Sequence, residues 1–216
     1  MIKQLIENTN FSSAYQIENS AYFKDITTTD LDYWNVHEQI FSTIDKDSAI
    51  LDVGVWFGIV PWALNKLGYK DVSCTECRAH SMSKTSLPAL HNYFNISPFE
   101  LHIKPKVNFE LPKKYDNIVF TKSNVHWKTE QVVHHDGKNV NTQWQVQGID
   151  NKQHTFFSMY EVLDWEYFIE NCFRYLNTNG RLLLNIQPLY SNIEYYSDTH
   201  NFLQKYSKGD YLEITK

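Results

Sequence analysis

The chain has 216 residues, 42% hydrophobic and 15% aromatic, enough for one folded domain with a real core and too apolar for a disordered chain. Its net charge is −5 with a pI near 6.0, and no Lys/Arg run stands out, which disfavours an electrostatic grip on nucleic-acid phosphates. Three cysteines are too few for a disulfide framework. The first residues lack a signal-peptide core, and no apolar run reaches the ~20 residues of a membrane span, so a cytoplasmic protein is expected.

Residues 1–28 are polar with scattered aromatics and give no clear period; with the segment that follows they form an N-terminal helical region, 1–45. From Thr29 or Asp30, a capping residue precedes Tyr33, Val36, Ile40 and Ile44 at helical spacing. "SAILDVGV" is a continuously apolar stretch, as expected of a strand covered on both faces. "IVPWALNKLG" puts Pro61 in a first helical turn and Gly68 just past the helix end. "DVSCTE" predicts a second strand. A helical region over 78–95 follows, which Pro88 should kink or split. "FELHI" is a weak third strand and "YDNIVFT" a strong fourth. Val162, Trp165, Ile169, Cys172 and Leu176 form the stripe of an amphipathic helix; Asn179-Gly180 should end it before a fifth strand, "RLLLNIQ". One helix and one strand, "YLEIT", complete the tail over 189–216.

Strands alternating with helices predict an α/β fold with a doubly wound, mainly parallel sheet. One connection breaks the rhythm. Almost forty residues, 122–160, follow the fourth strand, where such folds use ~2–6. Asp136-Gly137 lies between two β-prone arms, and Val140, Thr142, Trp144 and Val146 alternate along the second, so an inserted β-ribbon is expected.

In an open α/β sheet the turn after the first strand is the natural ligand cradle. Here it runs Gly54-Val55-Trp56-Phe57-Gly58. A nicotinamide enzyme would want G-x-G-x-x-G, and Trp56 stands where the second glycine would be, so a pyrophosphate would meet an indole. A P-loop is excluded because no Gly-Lys-Ser/Thr follows. What remains is Asp52-x-Gly54-x-x-x-Gly58, then an acid, Glu76, closing the second strand. Asp52 alone could cap a helix, both glycines could serve a tight junction, and Glu76 could be a solvated strand end; together they outweigh those readings.

This pattern resembles the class I S-adenosylmethionine-dependent methyltransferases, whose first motif reads approximately (V/I/L)-L-D-x-G-x-G-x-G. "LPKKYDNIVFT" is similar to that family's fourth-strand run, and "FRYLNTNGRLLLNIQP" to its run before the fifth. The resemblance spans residues 46–188 and implies a Rossmann-like methyltransferase fold, here with a C-terminal end shorter than the family's. It implies S-adenosylmethionine as cofactor, with Asp52, Gly54 and Gly58 in the first motif, Trp56 and Phe57 walling the pocket, and Glu76 gripping both ribose hydroxyls. Cys77, His102, Ile103 and Thr121 are the remaining cofactor-side positions. Three departures stand out, the first being the tail after Pro188, which offers less than the family's usual closing pair of strands. Trp56 replaces the middle glycine, so a different local conformation is expected there, and His102 occupies the position of the adenine-side acid.

The chemistry beyond the cofactor is less marked. His126 and Trp127 follow the fourth strand, where an imidazole could take a proton from a hydroxyl or amine, or make only a structural hydrogen bond. Trp127 and Trp144 are the candidate substrate contacts. The (N/D)-P-P-(Y/F) of adenine and cytosine amino-methyltransferases is missing, which disfavours nucleobase methylation. Cys74 and Cys77 form a CxxC, but a thiol inside a strand suits neither redox chemistry nor zinc. His134, His135 and Asp136 read as a polar cluster near a turn rather than a metal site. The expected activity is therefore methyl transfer to a small polar molecule. The rivals are a non-catalytic binding protein on the same fold and, behind it, an RNA or DNA methyltransferase. No motif names the acceptor atom or an oligomeric state.

Overall fold

The computed structural model describes residues 1–76, 86–101, 108–121, 145–147, 153–155, 165–185 and 205–216. A six-stranded sheet organises them, in the order β3-β2-β1-β4-β7-β8. Its strands are β1 (Ala49–Val53), β2 (Asp71–Glu76), β3 (Phe99–Glu100), β4 (Tyr115–Thr121), β7 (Leu176–Asn185) and β8 (Leu212–Thr215). All pair in parallel except β8, which runs antiparallel to β7. The chain moves outward from β1 through β2 to β3, then returns to place β4 on the other side of β1. That reversal is the switch point of a doubly wound fold.

Alternation along the strands divides the core in two. Ile50, Cys74, Val119 and Leu183 face a layer made by α1 (Ile2–Glu7), α2 (Ser12–Ile17), α3 (Ala21–Thr28), α4 (Asn35–Ser42), α5 (Ile59–Lys66) and α6 (Ser86–Phe94). Leu51, Ile118, Phe120, Leu182 and Leu184 face Phe168, Ile169 and Cys172 of α7 (Trp165–Arg174). Residues 1–28, without period in the sequence, make three helices of six to eight residues. Helices this short are held by packing rather than propensity. Ile2, Ile6, Phe11, Phe23 and Ile26 are almost fully buried against the sheet layer. Ser20 caps α3 by accepting from the Phe23 N–H, and Trp34, in a 3-10 turn (Leu31–Trp34), donates its indole N–H to the Ile26 carbonyl at 2.6 Å.

One local expectation is corrected and another is only partly covered. α6 is described over Ser86–Phe94 with Pro88 in it, and residues 78–85 of the expected helix lie outside the described residues. Asn179-Gly180 does not end α7, which stops at Arg174. The pair lies inside β7, where two steps along β4 (Tyr115 to Asn117) are matched by five along β7 (Leu176 to Arg181). Asn179 takes φ +63 in this bulge, and a Cβ on Gly180 would come within 2.9 Å of the Asn177 carbonyl. The insert does contain a β-ribbon. β5 (Gln145–Gln147) pairs antiparallel with β6 (Gln153–Thr155), with Gln147 opposite Gln153. The described ribbon thus joins the predicted second arm to the segment after it; Asp136-Gly137 lies outside the described residues.

Candidate functional site

The carboxyl ends of β1, β2, β4 and β7 converge at the switch point. In register, Asp52 lies between Cys74 of β2 and Val119 of β4. Glu76, Thr121 and Asn185 stand two residues beyond Cys74, Val119 and Leu183, and so share their face of the sheet, toward the N-terminal helices. The sheet therefore gathers Asp52, Glu76 and Thr121 at one edge, on one side. Leu101 donates its N–H to the Glu76 carbonyl at 3.1 Å, which ties the end of β2 to the start of the next connection.

The turn after β1 is built on left-handed backbone. Gly54, Trp56 and Gly58 have φ of +80, +43 and +83. Gly54 and Val55 both donate their N–H groups to the Thr75 carbonyl, at 3.2 and 3.0 Å, so β2 fixes the turn from the side. Gly58 is the N-cap of α5, and its left-handed φ strains any side chain there, so the turn favours this glycine independently of any ligand; a Cβ would also displace Ile96 Cδ1. His91 Nε2 lies 2.7 Å from the Trp56 carbonyl; since a carbonyl only accepts, the imidazole carries its proton there. Trp56 is the departure from the motif, and it takes a positive φ where glycine is favoured. Left-handed backbone with a large side chain costs about 1–2 kcal/mol.

The two aromatics of the turn part company. Phe57 is 5% exposed and packs on Phe23 at 4.8 Å between ring centroids, so its side chain anchors the turn in the core and is not a pocket wall. Trp56 is 39% exposed and stacks on Phe57 at 4.4 Å and on Tyr22 of α3 at 4.9 Å. Tyr22 is itself 41% exposed, and its ring meets that of Tyr33 edge-on at 6.2 Å between centroids.

Asp52 is the electrostatic outlier. Its side chain is 2% exposed, and Oδ2 has no hydrogen-bond partner among the described residues. Burial pushes its carboxyl up to about 7. Tyr33 lies within its field: burial raises that phenol well above the usual tyrosine range, and Tyr22 and the Asp52 charge raise it further. Cys74 is 5% exposed, and burial, with the charges of Asp52 and Glu76, pushes its thiol up to about 12. A thiol so held is a packing group, not a nucleophile.

Asp52, Gly54, Trp56, Gly58, Glu76 and Thr121 thus share one edge of the sheet. Cys77, His102, Ile103, His126, Trp127 and Trp144 lie outside the described residues. Tyr22, Tyr33 and His91 come from segments where the sequence carries no motif. The signal that could have found the first two is the density of aromatics before residue 35, more than short surface helices need. Among the described residues no group of three or more His, Cys, Asp or Glu could hold a metal, and no helix is long and apolar enough to cross a membrane.

No protein-family model matches the sequence, and no curated protein matches it. Several solved structures similar to the chain are methyltransferases by description. The glycopeptide N-methyltransferase MtfA complexed with sinefungin is 13% identical, with 70% of this chain and 52% of that one covered and a TM-score of 0.37. DesVI of Streptomyces venezuelae is 12% identical over 85% of this chain and 61% of that one, with a TM-score of 0.45. Coclaurine N-methyltransferase bound to N-methylheliamine and SAH is 14% identical over 85% and 47%, with a TM-score of 0.43. The chain spans about half the length of the MtfA structure it matches. The likeness is one of fold.

Proposed function

We propose that this chain is an S-adenosylmethionine-dependent methyltransferase acting on a small polar substrate. The observation that carries the reading is the placement of the Glu76 carboxylate at the end of β2, beside a left-handed glycine turn ending β1, at the switch point of the sheet. The donor set suits that cofactor. A carboxylate can accept from both hydroxyls of a ribose at once, and Gly54 lets backbone approach the amino-acid end without a side chain intervening. Bound there, the sulfonium supplies an electrophilic methyl group. The protein's part is to hold an acceptor in line and keep water out, and such orientation lowers a barrier by ~7–11 kcal/mol at best.

Thermal unfolding with S-adenosylhomocysteine and with NADH tests the assignment. The first, at a hundredfold excess over its dissociation constant, should stabilise the fold by ~2.7 kcal/mol. Stabilisation by NADH alone would overturn it. A second reading, a non-catalytic binding protein on this fold, is favoured by Trp56, whose indole occupies the motif's glycine position on strained backbone. Labelled cofactor with a metabolite panel separates the two: cofactor binding without any methylated product favours the second.

A further inference from the structure

The turn after β1 closes on a hydrogen bond from the Gly58 N–H to the Val55 carbonyl at 2.8 Å, with Trp56 and Phe57 as its two central residues. φ is +43 at Trp56 and not positive at Phe57, the sign pattern of a type II′ turn, which favours glycine at the first central position. An indole therefore stands where this turn tolerates a side chain worst, and something must hold it there. The peptide between Trp56 and Phe57 is the one whose orientation separates type II′ from type I′. Its carbonyl is the group that meets His91 Nε2 at 2.7 Å. A trans peptide points its N–H opposite to its carbonyl, so the same bond turns the Phe57 N–H away from α6. Turning the peptide over would present a carbonyl where that N–H now points, exchanging a donor for an acceptor.

His91 is itself held from several sides. It is 8% exposed on α6, whose first turn is tied to the N-terminal layer by the Ser86 hydroxyl, which donates to the Glu18 carboxylate at 2.5 Å. α6 ends on left-handed Asn95 (φ +54), and the Ile96 N–H folds back to donate to the His91 carbonyl at 2.9 Å. That closure brings Ile96 and the His91 ring together under Gly58, where they are the nearest atoms a Cβ would meet. We infer that His91 is a positioning residue, whose Nε2–H clasps the Trp56 carbonyl and holds the turn in the conformation that the cofactor meets. The inference rests on the methyltransferase reading and deepens it. The helix that follows Glu76 in the chain sets the shape of the glycine turn on the neighbouring strand, and His91 acts through that turn rather than on the cofactor.

His91→Phe keeps a ring and loses the N–H, whereas His91→Gln keeps an N–H that can stand in for Nε2. Calorimetry with S-adenosylhomocysteine should show affinity about tenfold weaker in His91→Phe and within about threefold of wild type in His91→Gln. Glycine accepts the type II′ position unaided, so in a Trp56→Gly background His91→Phe should cost less than about threefold. Wild-type affinity in His91→Phe, equal losses in the two His91 variants, or the same loss in both backgrounds would overturn the role. If His91→Phe alone does not fold, the double variant decides: folding recovered by Trp56→Gly supports the clasp, and failure of both overturns it. Failure of the wild type to bind S-adenosylhomocysteine would instead overturn the cofactor assignment. Amide hydrogen exchange needs no ligand and would then decide the positioning role. The Gly58 N–H should exchange about tenfold faster in His91→Phe than in wild type or His91→Gln, and equal exchange overturns the clasp.

Discussion

The two ends of the parallel strands are finished in opposite ways. At the amino edge the side chains of Asp116, Asn117 and Arg181 are tied into a network. Asp116 accepts from the Ala49 N–H and from the Asn177 amide, both at 2.7 Å. Arg181 spreads its guanidinium over Asn117, Glu213 and both oxygens of Thr43, and Asn117 donates to Ser48. At the carboxyl edge Asp52 is buried with Oδ2 unpartnered among the described residues, three residues of one turn hold left-handed backbone, and an indole is partly exposed. Strands of one sheet, in one core, end in a closed network on one side and in strain on the other. The amino edge contributes stability, and the carboxyl edge gives some of it up, as expected of an edge that serves function.

The largest expected effect tests that loss directly. The Asp52 carboxyl titrates near 7 in the folded protein against 3.8 in an exposed reference. Between those values the folded state keeps a proton that the unfolded chain has released. Stability contributed by Asp52 should therefore fall as pH rises from about 4 to 7 and then level off. At about 1.4 kcal/mol per pH unit, the interval amounts to about 4 kcal/mol. The titratable groups that sense its charge, Tyr33 and Cys74, are both pushed upward and stay protonated throughout. Urea unfolding of wild type and Asp52→Asn from pH 4 to 8 should show the variant gaining relative stability across this window, and parallel curves would refute the assignment.

At the opposite edge, Asp116→Ala removes an acceptor shared by two donors. Unfolding free energy should drop by about 2–3 kcal/mol, and the melting temperature by several degrees, while S-adenosylhomocysteine affinity stays within twofold. A large loss of affinity would mean that the two edges are coupled. Glu76→Gln should do the reverse. It keeps the shape but loses the charge, so calorimetry should show cofactor affinity at least tenfold weaker, about 1.4 kcal/mol, with unfolding little changed. The smallest effect belongs to Trp56→Gly. Relief of left-handed strain offsets the stacking lost on Tyr22 and Phe57, so stability should move by less than about 1 kcal/mol. A loss of 3 kcal/mol would make Trp56 a core residue.

Much of this contrast could be read from the sequence, and the gaps have physical causes. β1 and β4 are legible because strands covered on both faces are short apolar runs, and Asp52, Gly54 and, closing the more polar β2, Glu76 stand at motif spacing. Tyr22 was hidden because it reaches the turn through tertiary packing of a short helix, for which periodicity says nothing; Tyr33, read as the first position of a helical stripe, lies in the 3-10 turn before α4. Asn179-Gly180 misled for a related reason. The pair marks a left-handed step, and such a step serves a bulge within a strand as well as a stop after a helix. Phe57 was read as a pocket wall by its neighbourhood in sequence, whereas the positive φ on either side of it turns the ring into the core.

The strand order also has a consequence in time. β1 sits at the centre of the sheet, with β2 on one side and β4 on the other. β2 follows β1 closely, but β4 is complete only at Thr121, about 70 residues after Val53. A ribosome adding roughly 5–20 residues per second takes roughly 3–14 s to cover that distance. Throughout it, the strand that carries Asp52 leaves the tunnel with one edge unpaired, a template for any other extended chain nearby. The protein is most exposed to misassembly during those seconds, before its fourth strand arrives.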